Sequence, residues 1–247
     1  MKIDVLDHGY VILRNIAGPT PRVDKVGWDG IGSRFDADDT DPANAARFSF
    51  DGADDKDRTR EEDLKLAEYL LKNGHTTPFE MIEVWFEMQM PIFVARQFVR
   101  HRTVSINEVS ARYTKLPNQF YIPDPVNVGV KSATNKQGRN IKEGDIENAY
   151  AWVNMIEKHC EVSYLGYATS LDNGIPNELA RMILPLNIYT KWLWNQDLHN
   201  LMHCMKLRLH SHAQFEARAY AQAMYDLLRR VLPHSMDLFD KYRRIEE

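Results

Sequence analysis

From Met81 to Pro91 the chain reads MIEVWFEMQMP. Ile82, Val84, Phe86, Met88 and Met90 fall on one side of a period of two; Glu83, Glu87 and Gln89 fall on the other. Successive side chains of an extended chain point to opposite faces, so this alternation predicts a half-buried β-strand. Pro91 has a fixed φ that suits a first helical turn, and IFVARQFVRHR is expected to continue as a helix. Upstream, KIDVLDHGYVILRNIAG mixes Ile, Val and Leu around a glycine break and predicts one or two strands. VGWDGIGSRFDADDTDP is rich in Gly and Asp and reads as loop. Asp41 and Pro42 then open a helix as cap and first-turn residue. The charge run DDKDRTREED leads into REEDLKLAEYLLKNG. There Leu64, Ala67 and Leu71 share a face, acids fill the first turn, and Gly74 closes the helix.

Prolines, glycines and polar residues predict a long loop or insertion around residues 118–143. From Asp145 the pattern is mainly helical, interrupted by a strand in NIYTKWLWN. A last long helix is expected in SHAQFEARAYAQAMYDLLRRVLP, with Ser211 as cap and Pro233 as stop. Helices and strands do not alternate regularly, which argues against a doubly wound parallel sheet. The expected fold is α+β: a single domain over residues 1–247, with a mainly antiparallel sheet covered by long helices.

Composition narrows the class. The chain has 247 residues, 44% apolar and 27% charged, which is ordinary for a globular protein. With 31 basic against 35 acidic residues the net charge is −4, so a global nucleic-acid footprint is absent. The two cysteines, Cys160 and Cys204, form no CxxC motif, sit in helix-like apolar patterns and read as buried thiols. The N-terminus MKIDVLDHGY lacks the layout of a signal peptide, and no run reaches the roughly 18 apolar residues of a membrane span. A cytoplasmic protein is expected.

Against that background RQFVRHRTVSINEVSARY stands out. It holds Arg96, Arg100, Arg102 and Arg112, with Glu108 as its lone carboxylate. Guanidinium groups are planar two-pronged donors suited to phosphate oxygens, and nearby hydroxyls and loop amides complete such cradles. The alternative is a solvated basic patch, or an ion-pair network with the acidic segment Asp51–Asp63.

The pattern is more specific than its composition. RHRTVSINEVSARY resembles, in register, the motif RHRxxSxNExSxRY of the flavin-dependent thymidylate synthases. Arg100, His101, Arg102, Ser105, Asn107, Glu108, Ser110, Arg112 and Tyr113 supply its nine fixed positions. NGHTTPFE, ELARMILPLNIYTKWLW and DLHNLMHCMKLRLHSHAQFEARAYA are similar to other segments of the family, and NAARFSF matches more weakly.

This resemblance implies synthesis of thymidylate (dTMP) from deoxyuridylate (dUMP). Methylenetetrahydrofolate would be the carbon donor, and reduced FAD, recharged by NADPH, the hydride donor. It also implies a homotetramer whose active sites are shared between subunits. By position, Gln97, Arg100, Glu108, Ser110, Arg112, Arg181 and Arg208 would hold dUMP. Arg208 would be catalytic, stabilising negative charge on the pyrimidine. His75, Thr77, Arg100, His101, Arg102, Thr103, Glu108, Asp197, His199 and His203 would contact FAD. Some members carry Asn, Arg and Asn where this chain has Asp197, His199 and His203. No cysteine nucleophile is expected, since hydride chemistry on a cofactor needs none.

Two other chemistries compete for the same residues. His199 and His203 lie four apart with His210 and His212 beyond, a spacing that can hold zinc, but Asn200 stands where a zincin carries its glutamate. Arginines interleaved with Phe93, Phe98 and Tyr113 could line a single-strand groove, which the net acidity disfavours. DADDTDP lacks the glycine and terminal glutamate of a calcium loop.

Overall fold

The computed structural model describes residues 1–19, 36–49, 58–133, 135, 138–141 and 146–244. Its centre is a five-stranded, wholly antiparallel sheet. Strands β1 (Lys2–Val5), β2 (Gly9–Ala17) and β3 (Glu83–Pro91) come first in the chain. Strands β4 (Ser105–Glu108) and β7 (Tyr189–Asp197) complete the order β1-β2-β3-β7-β4. The alternation read in the sequence is realised in β3: Val84, Phe86, Met88 and Met90 are fully buried, as is Ile82 just before the strand.

Register aligns the buried residues into rungs. Val11, Met88 and Trp192 form one rung across β2, β3 and β7; Leu13, Phe86 and Trp194 form the next. A bulge between Leu13 and Asn15 shifts the phase by one residue, so Ile16 again faces inward opposite Val84. The helices α2 (Arg60–Lys72), α7 (Leu198–Arg208), α8 (Phe215–Arg229) and α9 (Pro233–Tyr242) cover this face. They contribute Leu71, Leu201, Met205, Met224, Leu227 and Phe239 to the core. Burying each side chain of this size contributes roughly 1.5–3 kcal/mol. At Gly9 an added Cβ would lie 1.9 Å from the Tyr220 hydroxyl, which donates to Gln89 O at 2.7 Å. Glycine therefore lets α8 dock against β2.

A smaller cluster forms around α5 (Ile146–Asp172), with Leu116, Phe120, Cys160, Tyr167 and Ile188 buried. The Tyr164 hydroxyl donates to Leu116 O at 3.0 Å, and Leu116 N donates to the Tyr167 hydroxyl at 3.1 Å. Helix α5 thus clamps the chain just beyond the arginine-rich run. Its outer face leaves Tyr150, Met155, Val162 and Leu165 exposed.

Short helices complete the chain: α1 (Asp41–Arg47), α3 (Thr77–Glu80), α4 (Ile92–Phe98) and α6 (Asn177–Ala180). Asp39, almost fully buried, accepts from His234 N, Ser235 N and Ser235 Oγ, and so caps α9 from a distant loop.

Several boundaries differ from expectation. Helix α4 ends at Phe98, short of the expected Arg102, so Arg100 lies past it. The following SINE pairs with β7 as an edge strand, an element its own pattern did not predict. The 118–143 region contains a 3-10 turn at Pro125–Asn127 and a hairpin of β5 (Val130–Lys131) with β6 (Arg139–Asn140). Asp41 is the first helical residue, and Thr40 holds the cap position. Ser211 does not cap the last long helix: α8 begins at Phe215 behind Gln214. Pro233 does not simply stop that helix but opens α9. Residues 20–35 and 50–57, with most of the expected Gly/Asp loop and much of the charge run, lie outside the described residues.

Candidate active site

Pairing of β4 with β7 carries Glu108 and Ser110 to the rim of a pocket of about 300 Å³. Arg181 and Thr190 join them, with Ile92, Leu116, Leu184 and Ile188 as apolar walls. Thr190 Oγ1 donates to Glu108 Oε1 at 2.5 Å, fixing the carboxylate. Ser110 Oγ accepts from Arg112 N at 3.2 Å. Arg112 Nη2 pairs with Glu178 Oε2 at 3.2 Å, and Arg181 Nε donates to Glu178 O at 3.4 Å. Arg112 is therefore paired from α6, by a carboxylate outside both the arginine run and the acidic segment Asp51–Asp63. Glu108, Ser110 and Arg181 share one concavity; Arg112 sits against the same α6 turn as Arg181.

A second group forms where α4, α7 and α8 meet. Arg208 donates through Nε to His101 Nε2 at 3.1 Å and through Nη2 to Gln97 O at 2.8 Å. Arginine only donates, so His101 Nε2 is the acceptor and its ring proton sits on Nδ1. His101 is nearly buried, and its ring meets His203 edge-on at 6.5 Å. Burial, then the positive neighbours Arg208 and His203, push its pKa down to about 4. A neutral imidazole suits the bond from Arg208. Two fixed contacts thus orient that guanidinium. Its Nη1 donates no hydrogen bond among the described residues.

The remaining flavin candidates spread along the sheet. Arg100 and Arg102 are exposed and form no ion pair among the described residues. Such unpaired cations fit a diphosphate. His75 stacks on Tyr69 at 6.2 Å, and Thr77 opens α3. Thr103 Oγ1 accepts from Gln196 Nε2 at 3.2 Å. Asp197 caps α7 through Asn200 N at 2.9 Å and also accepts from Asn200 Nδ2. A carboxylate so engaged suits a hydroxyl or amino group better than a phosphate. Its charge also adds to burial in raising the pKa of Glu83. His199 is half-buried in the first turn of α7. Along β7, Thr190 and Asp197 are seven residues apart, or about 23 Å of extended chain. The pocket and the α7 cap therefore stand at opposite ends of one strand.

Thr190, Gln214 and Glu216 are polar residues of this region that sequence reasoning missed. Thr190 lies inside an apolar strand pattern. Gln214 and Glu216 lie in HAQFEARAYA, where a polar pair before an apolar helix was the available signal. Among the described residues no cluster of three metal-ligating side chains forms, and no helix is long and apolar enough to cross a membrane.

Fold and sequence agree with known proteins. The structure superposes on the UMP/dUMP methylase PolB of Streptomyces cacaoi bound with 5-bromo-dUMP, with a TM-score of 0.79 at 27% identity over 99% of this chain and 100% of that one. The same enzyme bound with 5-bromo-UMP gives a TM-score of 0.80, covering 99% of each chain. The flavin-dependent thymidylate synthase of Rickettsia bellii is 40% identical, covering 98% of this chain and 79% of its own. That of Treponema denticola is 37% identical over 97% of this chain and 82% of its own. Fold and likeness together define a methyltransferase enzyme. Residues 33–234 match the family profile described as thymidylate synthase complementing protein, and the chain belongs to this family, the flavin-dependent thymidylate synthases.

Proposed function

We propose that the chain converts dUMP to dTMP, taking the carbon from methylenetetrahydrofolate. Residues 1–247 act as one synthase domain. The observation that carries this reading is the convergence of Glu108, Ser110 and Arg181 on one pocket beside Arg112. It offers an acceptor, a hydroxyl and fixed cations around a space of about 300 Å³. Phosphate would displace Glu178 from Arg112, exchanging a half-exposed ion pair for charge-assisted bonds worth roughly 1.5–3 kcal/mol each. Arg208, held by His101 and Gln97 O, would present its free edge to the pyrimidine and stabilise negative charge there.

Arg100 and Arg102 would hold the FAD diphosphate, with His75 and His101 beside the ring system. FAD held by these residues and reduced by NADPH would supply the hydride that completes the methyl group. The sites would be shared between subunits of a homotetramer, for which the apolar outer face of α5 is a suitable contact surface.

Tritium release from C5-labelled dUMP tests the reaction. Release that depends on FAD, NADPH and methylenetetrahydrofolate is expected. Protein that binds FAD yet releases no tritium under those conditions overturns the reading.

A further inference from the structure

The group at α4 extends into a polar relay that ends on a buried charge. Gln97 Nε2 donates to Gln214 Oε1 at 2.5 Å, and Gln214 Nε2 donates to Glu216 Oε2 at 2.8 Å. Glu216 is 1% exposed. Its Oε1 accepts from the Tyr121 hydroxyl at 3.0 Å and from Arg139 Nη2 at 2.9 Å. Arg139 belongs to the β6 hairpin and also lies 5.4 Å over the Phe215 ring. Among the described residues each hydrogen bond to Glu216 comes from a donor, as an ionised carboxylate requires. Turning the Gln214 amide would set its carbonyl oxygen against the carboxylate, so Gln214 must present its NH2 inward and its oxygen to Gln97. Gln97 must then answer with its own NH2. Its side-chain Oε1 is left over and accepts no hydrogen bond among the described residues, the bond from Arg208 going to the backbone oxygen.

We infer that Glu216 is a positioning residue: its charge, passed through Gln214, fixes Gln97 so that it meets the nucleotide with a hydrogen-bond acceptor. This rests on the proposed role of Gln97 in holding dUMP. Arg139 then ties the hairpin to the same relay, and the hairpin's position bears on how the nucleotide is read. The relay would favour a ligand that offers a donor at this point and reject one offering only a lone pair.

The test is a polarity swap. Q97E places a carboxylate against the Gln214 oxygen, and the relay cannot turn while Glu216 is also an acceptor. E216Q frees it to turn, and in Q97E/E216Q the whole relay can run backwards with every contact made. Melting temperatures of the nucleotide-free proteins and dUMP affinity, read by the flavin absorbance change, are measured for wild type, both single variants and the double. Q97E is expected to weaken dUMP binding by about ten-fold, and the double to return to within about three-fold of E216Q alone. The melting temperature should show the same recovery. Melting shifts and affinity losses in the double that equal the sum of the singles overturn the relay and leave the proposed function standing. Failure of the FAD-loaded wild type to bind dUMP overturns the proposed function itself.

Discussion

His101 combines burial with a hydrogen bond that only its neutral form can accept. Its folded pKa, about 4, lies below the ordinary histidine value near 6.5. Between these values the unfolded chain binds more protons, so stability falls as pH drops through that window and stops falling below it. Urea midpoints at pH 7 and pH 5 should therefore differ in wild type and differ less in H101Q. The Arg181 side chain is exposed and makes one hydrogen bond among the described residues, to Glu178 O. R181A should raise the KM for dUMP by about 10–100-fold, the loss of one charge-assisted bond, with little change in melting temperature. Burial pushes the Cys204 thiol up to about 12 and raises that of Cys160. Neither provides a thiolate at neutral pH, so C160A/C204A should retain synthase activity measured by tritium release. Complete loss with fold and FAD binding intact would count against the proposed chemistry. At this scale much was legible. Glu108 and Ser110 were picked from one linear motif and Arg181 from the separate segment ELARMI, and the three stand in one pocket. The Arg112–Glu178 pair was not, because its partners meet only through tertiary packing.

Elements show where local patterns suffice. Strand β3 was readable because one face is buried and register then specifies every side chain. Strand β4 was not, because SINE has one apolar residue and is held by β7 instead of by its own pattern. Helix α4 was overextended for the same reason: the pull toward β7 ends it at Phe98. The start of α8 was misplaced because the 210–214 segment forms a turn, with Ala213 N donating to His210 O. Two variants test the packing. G9A brings a methyl group onto the Tyr220 hydroxyl and the Val5 and Gln89 carbonyls, and should destabilise by about 1–3 kcal/mol in urea melts. D197A removes the α7 cap and should cost about 1 kcal/mol, or about 2–4 °C, in FAD-free protein. A larger loss in FAD affinity than in stability would give Asp197 a ligand role as well.

The whole chain was legible as α+β with an antiparallel sheet, because alternation in β3 and periodicity in the helices specify layers. How the expected site residues divide was not, since sequence spacing says nothing of which end of a strand meets which helix. The exposed apolar residues of α5 predict that V162D/L165D yields a smaller species by light scattering, with tritium release falling alongside. The strand order carries a consequence for synthesis. β3 lies between β2 and β7, yet β7 follows it by 98 residues in the chain. At about 5–20 residues per second, one edge of β3 waits roughly 5–20 s for its neighbour while the ribosome works through the intervening helices, the short strand β4 and the hairpin. During that interval Val84, Phe86 and Met88 belong to an open-edged, three-stranded intermediate, the kind of surface that chaperones bind and neighbouring nascent chains can invade. Slowed translation between Pro91 and Tyr189 should therefore lower soluble yield more than the same slowing placed after Asp197.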